Sequence, residues 1–493
     1  MKYLLGFDIG SSSVKATLLE INSGKAIASA FSPSSEMPMQ SPQPGFAEQD
    51  PDMWWNELIN AMNKLHQQIS FNGDEVAAIG IAYQMHGLVC IDKNLKPLRP
   101  SIIWCDSRAV KIGDKAFEEL GEKYCLKNFL NSPGNFTASK LRWVKKNEPE
   151  VYKNIYKIML PGDYIAMKLT GEPATTISGL SEGILWNFKK EKTAFDLLEY
   201  YGIDEELLSP LVPTFGEQGK LNSAAANELK LKVGIPVSYR AGDQPNNAFS
   251  LNVLQPGEIA ATAGTSGVVY GIIDKPKYDP LSRVNTFVHV NHTKKDPRYG
   301  VLLCVNGTGI LNSWLRKNFF GDASYEQINK EAALVAPGSD ELLIYPFGNG
   351  AERVLENKDL GAVMKVLQFN RHHRGHIARA AQEGIVFALH YGVEVMKEMG
   401  LEIKKVRAGY ANMFLSDVFS SVFVNTLGCD LELYNTDGAT GAARGAGIGV
   451  GVYKNFAEAY SSMEKIKSYS PTREDQKIYS SAYNKWKKQL KKL

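Results

Sequence analysis

Two short stretches of this chain carry carboxylates, amides and hydroxyls in patterns that could handle a polyol and a phosphate. In AGDQPNNA (241–248), Asp243 follows the β-like run IPVSYRAG and precedes Gln244, Pro245, Asn246 and Asn247. A carboxylate at a strand end can take the proton of a substrate hydroxyl while neighbouring amides hold further hydroxyls. The same residue also reads as an Asx-turn or an N-cap for the segment that follows. In GFDIGSSSVK (6–15), Asp8 closes an apolar run, Gly10 and Ser11, Ser12 and Ser13 form a turn, and Lys15 sits in a second apolar run. Phosphate-binding loops usually open a helix. Here the chain returns as a strand, so a strand-turn-strand unit carries the aspartate and three hydroxyls.

That device occurs twice. AATAGTSGVVYGII (260–273) repeats small and apolar residues, then Gly264, Thr265, Ser266 and Gly267, then another β-branched run. Gly264 lies 254 residues after Gly10, about half the chain. Internal repetition at this spacing points to two lobes built alike and facing each other across a cleft.

A third cluster spans IAYQMHGLVCID (81–92) and RPSIIWCDSRA (99–109), where Gln84, His86, Asp106 and Arg108 closely follow strand-like runs and Trp104 offers a flat face. Hydrogen-bonding side chains beside one aromatic surface suit a sugar; His86 taken alone reads as a satisfied core histidine. Other motifs point elsewhere and are weaker. Neither G-x-x-x-x-G-K-[ST] nor G-x-G-x-x-G occurs. GLSEG (179–183) matches a hydrolase elbow in letters, but it follows the polar ATTIS and precedes the strand-like ILWNF, the wrong surroundings for that turn. RHHRGH (371–376) lacks an acidic partner and reads as a basic helix start on the surface.

The elements that must position these groups alternate in type. Residues 3–7, 14–21, 76–83 and 87–92 read as strands. Residues 51–69 carry Trp54, Leu58, Met62 and Leu65 at helical spacing after Asp50-Pro51, and 374–400 gives a long helix ending at Gly400. The Pro/Ser/Gln-rich stretch 32–45 reads as an extended surface loop. This is α/β patterning. A chain of 493 residues exceeds one ordinary core, so two large lobes are expected, divided as 1–245 and 246–493. A composition 44% hydrophobic and 22% charged is that of a soluble globular protein, no window is apolar enough to span a membrane, and Asp8 interrupts any leader-like run, so a cytoplasmic location is expected. A net charge of +3 gives no nucleic-acid footprint, and the C-terminal KWKKQLKKL reads as a solvated helix face. The five cysteines are scattered with no C-x-x-C, which argues against a disulfide framework or a zinc ribbon.

Together with LPGDYIAMKLTGE and the terminal DGATGAARGAG, these stretches make the chain resemble the FGGY carbohydrate kinases of the actin-like ATPase superfamily essentially end to end. The resemblance implies two RNase H-like domains, a sugar-binding lobe (1–245) and a nucleotide-binding lobe (246–493). It also implies ATP-dependent phosphorylation of a sugar. QMHG paired with W-x-D-x-R points to D-xylulose, giving D-xylulose 5-phosphate, ahead of ribulose, glycerol, fuculose or gluconate; a silent sugar sensor of the same fold is the reading from another class.

By the same resemblance Asp243 is the general base, and Gln84, Met85, His86, Trp104, Asp106 and Gln244 surround the sugar. Asp8, Ser11, Ser12, Ser13 and Lys15 meet the ATP phosphates from one lobe, and Gly264, Thr265 and Ser266 from the other. Gly309 and Ser313 match the nucleotide-side helix, and Gly409 and Asn412 the adenine loop. Asp8 and Asp243 bear on Mg2+. ATP and the sugar are the expected partners, with no nucleic acid or membrane and a homodimer as the default assembly. The chain departs from the family pattern at RAGYANMFLS (407–416), where Ala408 and Tyr410 replace small glycines, at Cys105, and at Gln244 after the base.

Overall fold

The computed structural model describes all 493 residues and divides into two units. The first comprises Met1–Asn252, Phe287–Pro297 and Thr436–Met463; the second comprises Val253–Thr286, Arg298–Asn435 and Glu464–Leu493.

The first unit is built on strands β1 (Tyr3–Ile9), β2 (Val14–Glu20), β3 (Ala26–Ser32), β4 (Val76–Tyr83) and β5 (Val237–Gly242), ordered β3-β2-β1-β4-β5. The β1–β2 and β2–β3 pairs are antiparallel, whereas β1–β4 and β4–β5 are parallel. The sequence VAAIGIAY of β4 is buried along its whole length, as a central parallel strand covered on both faces must be. At the edge, β3 instead exposes several of its residues.

Alternation along β1 assigns its faces. Leu5, Phe7 and Ile9 join a core with Trp54, Leu58, Ala61, Met62 and Leu65 of the helix Pro51–Gln68, whose N-terminus is capped by Asp50 accepting from the Asp52 N–H at 3.0 Å. Gly6 and Asp8 face the other way, toward the helix Gly438–Gly449. That helix is made almost wholly of small residues, and a Cβ on Gly6 would collide with the Ala439 carbonyl, and one on Gly80 with the Ala442 carbonyl. The glycines of β1 and β4 thus let the helix lie directly on the sheet, with its N-terminus beside Asp8.

The second unit repeats the plan. Strands β6 (Glu258–Ala263), β7 (Gly267–Ile273), β8 (Tyr299–Val305), β9 (Lys405–Gly409) and β10 (Leu431–Tyr434) are ordered β8-β7-β6-β9-β10. Again the first two pairings in chain order are antiparallel and the next two parallel. Lys465–Tyr469 extends this sheet beyond β10. The duplicated turns of the sequence are therefore the hairpins that open two copies of one five-stranded topology, as the actin-like fold requires.

The 25-residue helix Arg374–Glu398 lies against this second sheet and is followed by Gly400 at φ 90°. Its histidine-rich start is a cap: His373 Nδ1 accepts from the Gly375 N–H at 3.1 Å. The lysines of the C-terminal helix Arg473–Leu490 flank a buried stripe of Tyr479, Tyr483, Trp486 and Leu490, and the Trp486 indole donates to the Ile344 carbonyl at 2.9 Å. No helix is long and apolar enough to cross a membrane.

Candidate functional site

In the first unit the candidate residues gather at the C-terminal ends of β1, β4 and β5. Asp8 is the penultimate residue of β1, and the turn after it is held by Gly10 N–H donating to the Ser13 carbonyl at 3.0 Å and by the Gln49 amide donating to the Ser11 carbonyl at 2.7 Å. Ser12 is exposed at its tip, with Ser11 and Ser13 partly exposed on either side. Lys15, on β2, forms an ion pair with Asp437, which caps the Gly438–Gly449 helix by accepting from the Thr440 N–H at 2.8 Å. The Asp8 carboxylate fills the space where Gly438 lacks a side chain. Burial, then the charges of Asp243 and Asp437, push Asp8 up to about 7, with only Lys15 opposing them. Asp437 alone of these acids is lowered: burial works against ionisation there, but Lys15 and the capping bonds outweigh it.

Asp243 is the first residue of the helix Asp243–Ser250, immediately after β5, so the strand-end carboxylate expected from the sequence coincides with a helix start. Gly242, not Asp243, is the N-cap. Burial pushes Asp243 up to about 6, and bonds to Gln244 resist the shift. Three residues on, the Asn246 amide donates to the Gly438 carbonyl at 2.9 Å and ties this helix to the one beside Asp8.

Around Asp243 lie several buried polar atoms without protein partners: Gln84 Oε1, Glu182 Oε2, Gln244 Oε1 and Asn246 Oδ1. Proteins rarely leave such atoms unsatisfied, and their concentration at one strand end marks a place where a hydroxylated ligand would satisfy them.

Gln84 follows β4, its N–H donating to the Ile9 carbonyl at 2.8 Å, and Met85 packs over Gly242. His86 sits at φ 61°, an uncommon conformation for a residue with a side chain. Its N–H donates to Glu182 Oε1 at 3.3 Å and its Nδ1 bonds the Glu182 carbonyl at 3.0 Å, while Lys140 Nζ donates to the carbonyls of His86 at 2.8 Å and Ile103 at 2.9 Å. Burial raises Glu182 well above the usual carboxylate range and lowers Lys140 to about 7.

Trp104 keeps 48% of its surface exposed and its indole N–H lies 3.4 Å from Ser11 Oγ, so it borders the serine turn. Asp106 differs from the expectation of a sugar contact. It is wholly buried, and both carboxylate oxygens are taken up by the Arg108 guanidinium and by the N–H groups of Ala47 and Arg108. Arg108 in turn lies 3.7 Å over the Phe46 ring. Asp106 braces the loop that carries Trp104 and has no oxygen left for a ligand.

In the second unit Gly264 and Thr265 of the β6–β7 turn, together with Gly309, Ser313 and Asn412, line one cavity of about 840 Å³. Gly309 opens the helix Gly309–Phe319; its N–H donates to the Gly264 carbonyl at 2.8 Å, and a Cβ there would collide with that carbonyl. Ser266 and Gly409 do not line the cavity: Gly409 ends β9 and carries the chain toward Asn412. Tyr325, Glu326, Asn329 and Lys330, on the helix Tyr325–Ala333, form another wall that no motif had singled out.

Glu182, Lys140 and Asp437 were likewise not singled out. Glu182 lies in GLSEG, set aside because its surroundings do not suit a hydrolase. Asp437 was legible as the capping residue ahead of a small-residue helix, whereas nothing local marks Lys140.

Comparison with known proteins is decisive at the level of family. The model of the FGGY carbohydrate kinase N-terminal domain matches residues 3–250 and that of the C-terminal domain residues 259–449. The chain belongs to the FGGY family of carbohydrate kinases. FGGY kinases use ATP, and the chain is a carbohydrate kinase by membership. It is 28% identical to a xylulose kinase from Bacillus subtilis, over 99% of this chain and 96% of that one. In fold it matches the ligand-bound xylulose kinase from Lactobacillus acidophilus, with a TM-score of 0.89 at 23% identity over 99% and 97% of the two chains. It matches a gluconate kinase from the same organism with a TM-score of 0.88 at 23% identity over 99% and 97%. This FGGY fold is thus shared by kinases named for different sugars.

Proposed function

We propose that this chain transfers the γ-phosphoryl group of ATP to the primary C5 hydroxyl of D-xylulose, giving D-xylulose 5-phosphate and ADP. The observation that carries the reading is Asp243: a carboxylate at a helix start, raised by burial to about 6, among buried amide and carboxyl oxygens that lack partners. A base with a pKa near the working pH combines an ionised resting form with a useful affinity for the proton it takes.

In the reaction Asp243 accepts the hydroxyl proton as the sugar oxygen forms its bond to phosphorus. The bond from phosphorus to the bridging oxygen breaks, and ADP leaves with the electron pair. Hydrogen-bond reach of about 2.6 to 3.2 Å between Asp243 and the hydroxyl is required. Gln84, Met85, His86, Trp104 and Gln244 surround the sugar. The turn Ser11–Ser13 and Lys15 hold phosphate oxygens, and Gly264, Thr265 and Ser266 serve the same ligand from the second hairpin. Ser313, Asn412 and the wall of Tyr325–Ala333 hold the nucleoside.

The acids fit Mg2+. Asp8 and Asp243 are buried carboxylates, both raised by burial, and Asp8 is raised further by the charge of Asp243. Mg2+ is commonly bound through one or two carboxylates plus substrate phosphates. When bound, the ion neutralises charge on the transferring phosphoryl group.

A coupled ADP-release assay with D-xylulose, D-ribulose, glycerol, L-fuculose and D-gluconate tests the proposal. D-Xylulose should give the highest kcat/KM. A higher value for another of these sugars would replace the substrate, and no sugar-dependent ADP release would remove the activity.

A further inference from the structure

Gln49 ends the two-residue strand Glu48–Gln49, which pairs antiparallel with Ser101–Ile102 just ahead of the helix Pro51–Gln68. It is 1% exposed, and both ends of its amide are in use. Nε2 donates to the Ser11 carbonyl at 2.7 Å and to the Pro38 carbonyl at 3.4 Å. Oε1 accepts from the Trp54 indole N–H at 3.1 Å and from Gln84 Nε2 at 3.4 Å. Four bonds exhaust the capacity of a primary amide, so Gln49 has nothing left to offer a ligand.

The partners also fix which way the amide faces. An indole N–H only donates and a backbone carbonyl only accepts, so Gln49 turns its oxygen to Trp54 and its nitrogen to Ser11. Gln84 must then meet that oxygen with its own N–H, and its Oε1 is left as a buried acceptor without a partner. Gln84 stands at the end of β4 beside Met85, which packs over Gly242, the residue before Asp243. A buried acceptor left unpaired there calls for a donor, and a hydroxyl is one. At its other end the Gln49 amide grips the turn Gly10–Ser13, whose closing bond runs from the Gly10 N–H to the Ser13 carbonyl. The fully buried Trp54 anchors the whole arrangement in the core.

We infer that Gln49 is a positioning residue that joins the serine turn to Gln84: its nitrogen holds the turn, and its oxygen fixes Gln84 Oε1 as the acceptor for a sugar hydroxyl. One side chain that touches neither substrate thereby governs the binding of both. The inference rests on the function proposed above in assigning the turn to ATP and Gln84 to the sugar.

Gln49→Met keeps the length of the side chain and removes every polar atom from it. KM for ATP and KM for D-xylulose should each rise about 10-fold, the scale of one lost hydrogen bond at a buried site. The milder Gln49→Asn, one methylene shorter, should raise both about threefold and serves if Gln49→Met does not fold. Trp54→Phe disturbs the same core but leaves the bonds to Ser11 and Gln84, so the protein should lose stability while both KM values stay within about twofold. A double-mutant cycle separates the two arms. In a Gln84→Met background, adding Gln49→Met should again raise KM for ATP about 10-fold, but KM for D-xylulose by no more than about twofold, because the path to the sugar runs through Gln84. In the ligand-free protein, deuterium exchange in the peptide spanning residues 8–15 should be about 10-fold faster in Gln49→Met and unchanged in Gln84→Met.

A folded Gln49→Met protein with both KM values unchanged would overturn the inference, as would Trp54→Phe raising them as much as Gln49→Met does. A full further rise in KM for D-xylulose in the Gln84→Met background would contradict the path through Gln84. If the wild type turns over no sugar, the kinase reading falls by itself, and the exchange of the serine turn still decides whether Gln49 holds it; unchanged exchange would show that it does not.

Discussion

The two hairpins β1–β2 and β6–β7 have the same topology and the same Gly/Ser/Thr composition at their turns, yet they serve different surroundings. The first ends beside acids: after burial, the charges of Asp243 and Asp437 raise Asp8, and Lys15 is the one opposing cation on it. The second ends in a cavity in which Gly264 and Thr265 meet a helix start at Gly309 and whose far wall carries Asn329 and Lys330 beside Glu326. In the function proposed above, one copy of the plan serves as the reaction site and the other as a binding site. The duplicated scaffold fixes where each turn stands, and the side chains on the neighbouring strand ends decide what it does.

This contrast can be broken at either hairpin, and the effects should be unequal. Asp243→Asn, which keeps the shape and removes the base, should lower kcat by roughly 10² to 10⁴ with a folded protein, measured by ADP release. Asp8→Asn should lower kcat by about 10²-fold and raise the Mg2+ concentration needed for half-maximal rate, because it removes a charge that acts on the transferring group without taking the proton. Lowering the pH should act through both acids. The base works ionised and burial has raised it to about 6, so kcat/KM should fall steeply below that value, and protonation of Asp8, pushed up to about 7, should begin the decline about a unit higher. Gly309→Ala should act on the binding side alone: its Cβ meets the Gly264 carbonyl, displacing the turn, and KM for ATP should rise about 10-fold while KM for D-xylulose stays near its wild-type value.

Much of this was legible in the sequence because it is local. A strand-turn-strand with a small-residue turn can be read from ten residues, and two copies half a chain apart announce a duplicated fold. Asp243 was legible because the run IPVSYRAG ends in the glycine before it. Other features depend on long-range contact. Asp106 stands among sugar-site residues in sequence, but Arg108, two residues on, claims both its oxygens, and no motif distinguishes a carboxylate offered to a ligand from one consumed by its neighbour. Glu182 reaches His86 across 96 residues, and Lys140 reaches the same residue across 54. These contacts therefore exist only once the chain is folded. The helix Gly438–Gly449 shows the intermediate case: its small residues were visible, but only their collision course with Gly6 and Gly80 explains why they must be small.

The central claim is chemical: the phosphoryl group of ATP reaches a ketose oxygen. Phosphorus-31 NMR of the product formed from D-xylulose and MgATP tests it most directly. The account predicts one sugar monophosphate per ADP, with the phosphorus coupled to the C5 methylene protons. ADP accompanied only by inorganic phosphate, or phosphorus on another carbon of the sugar, would contradict it.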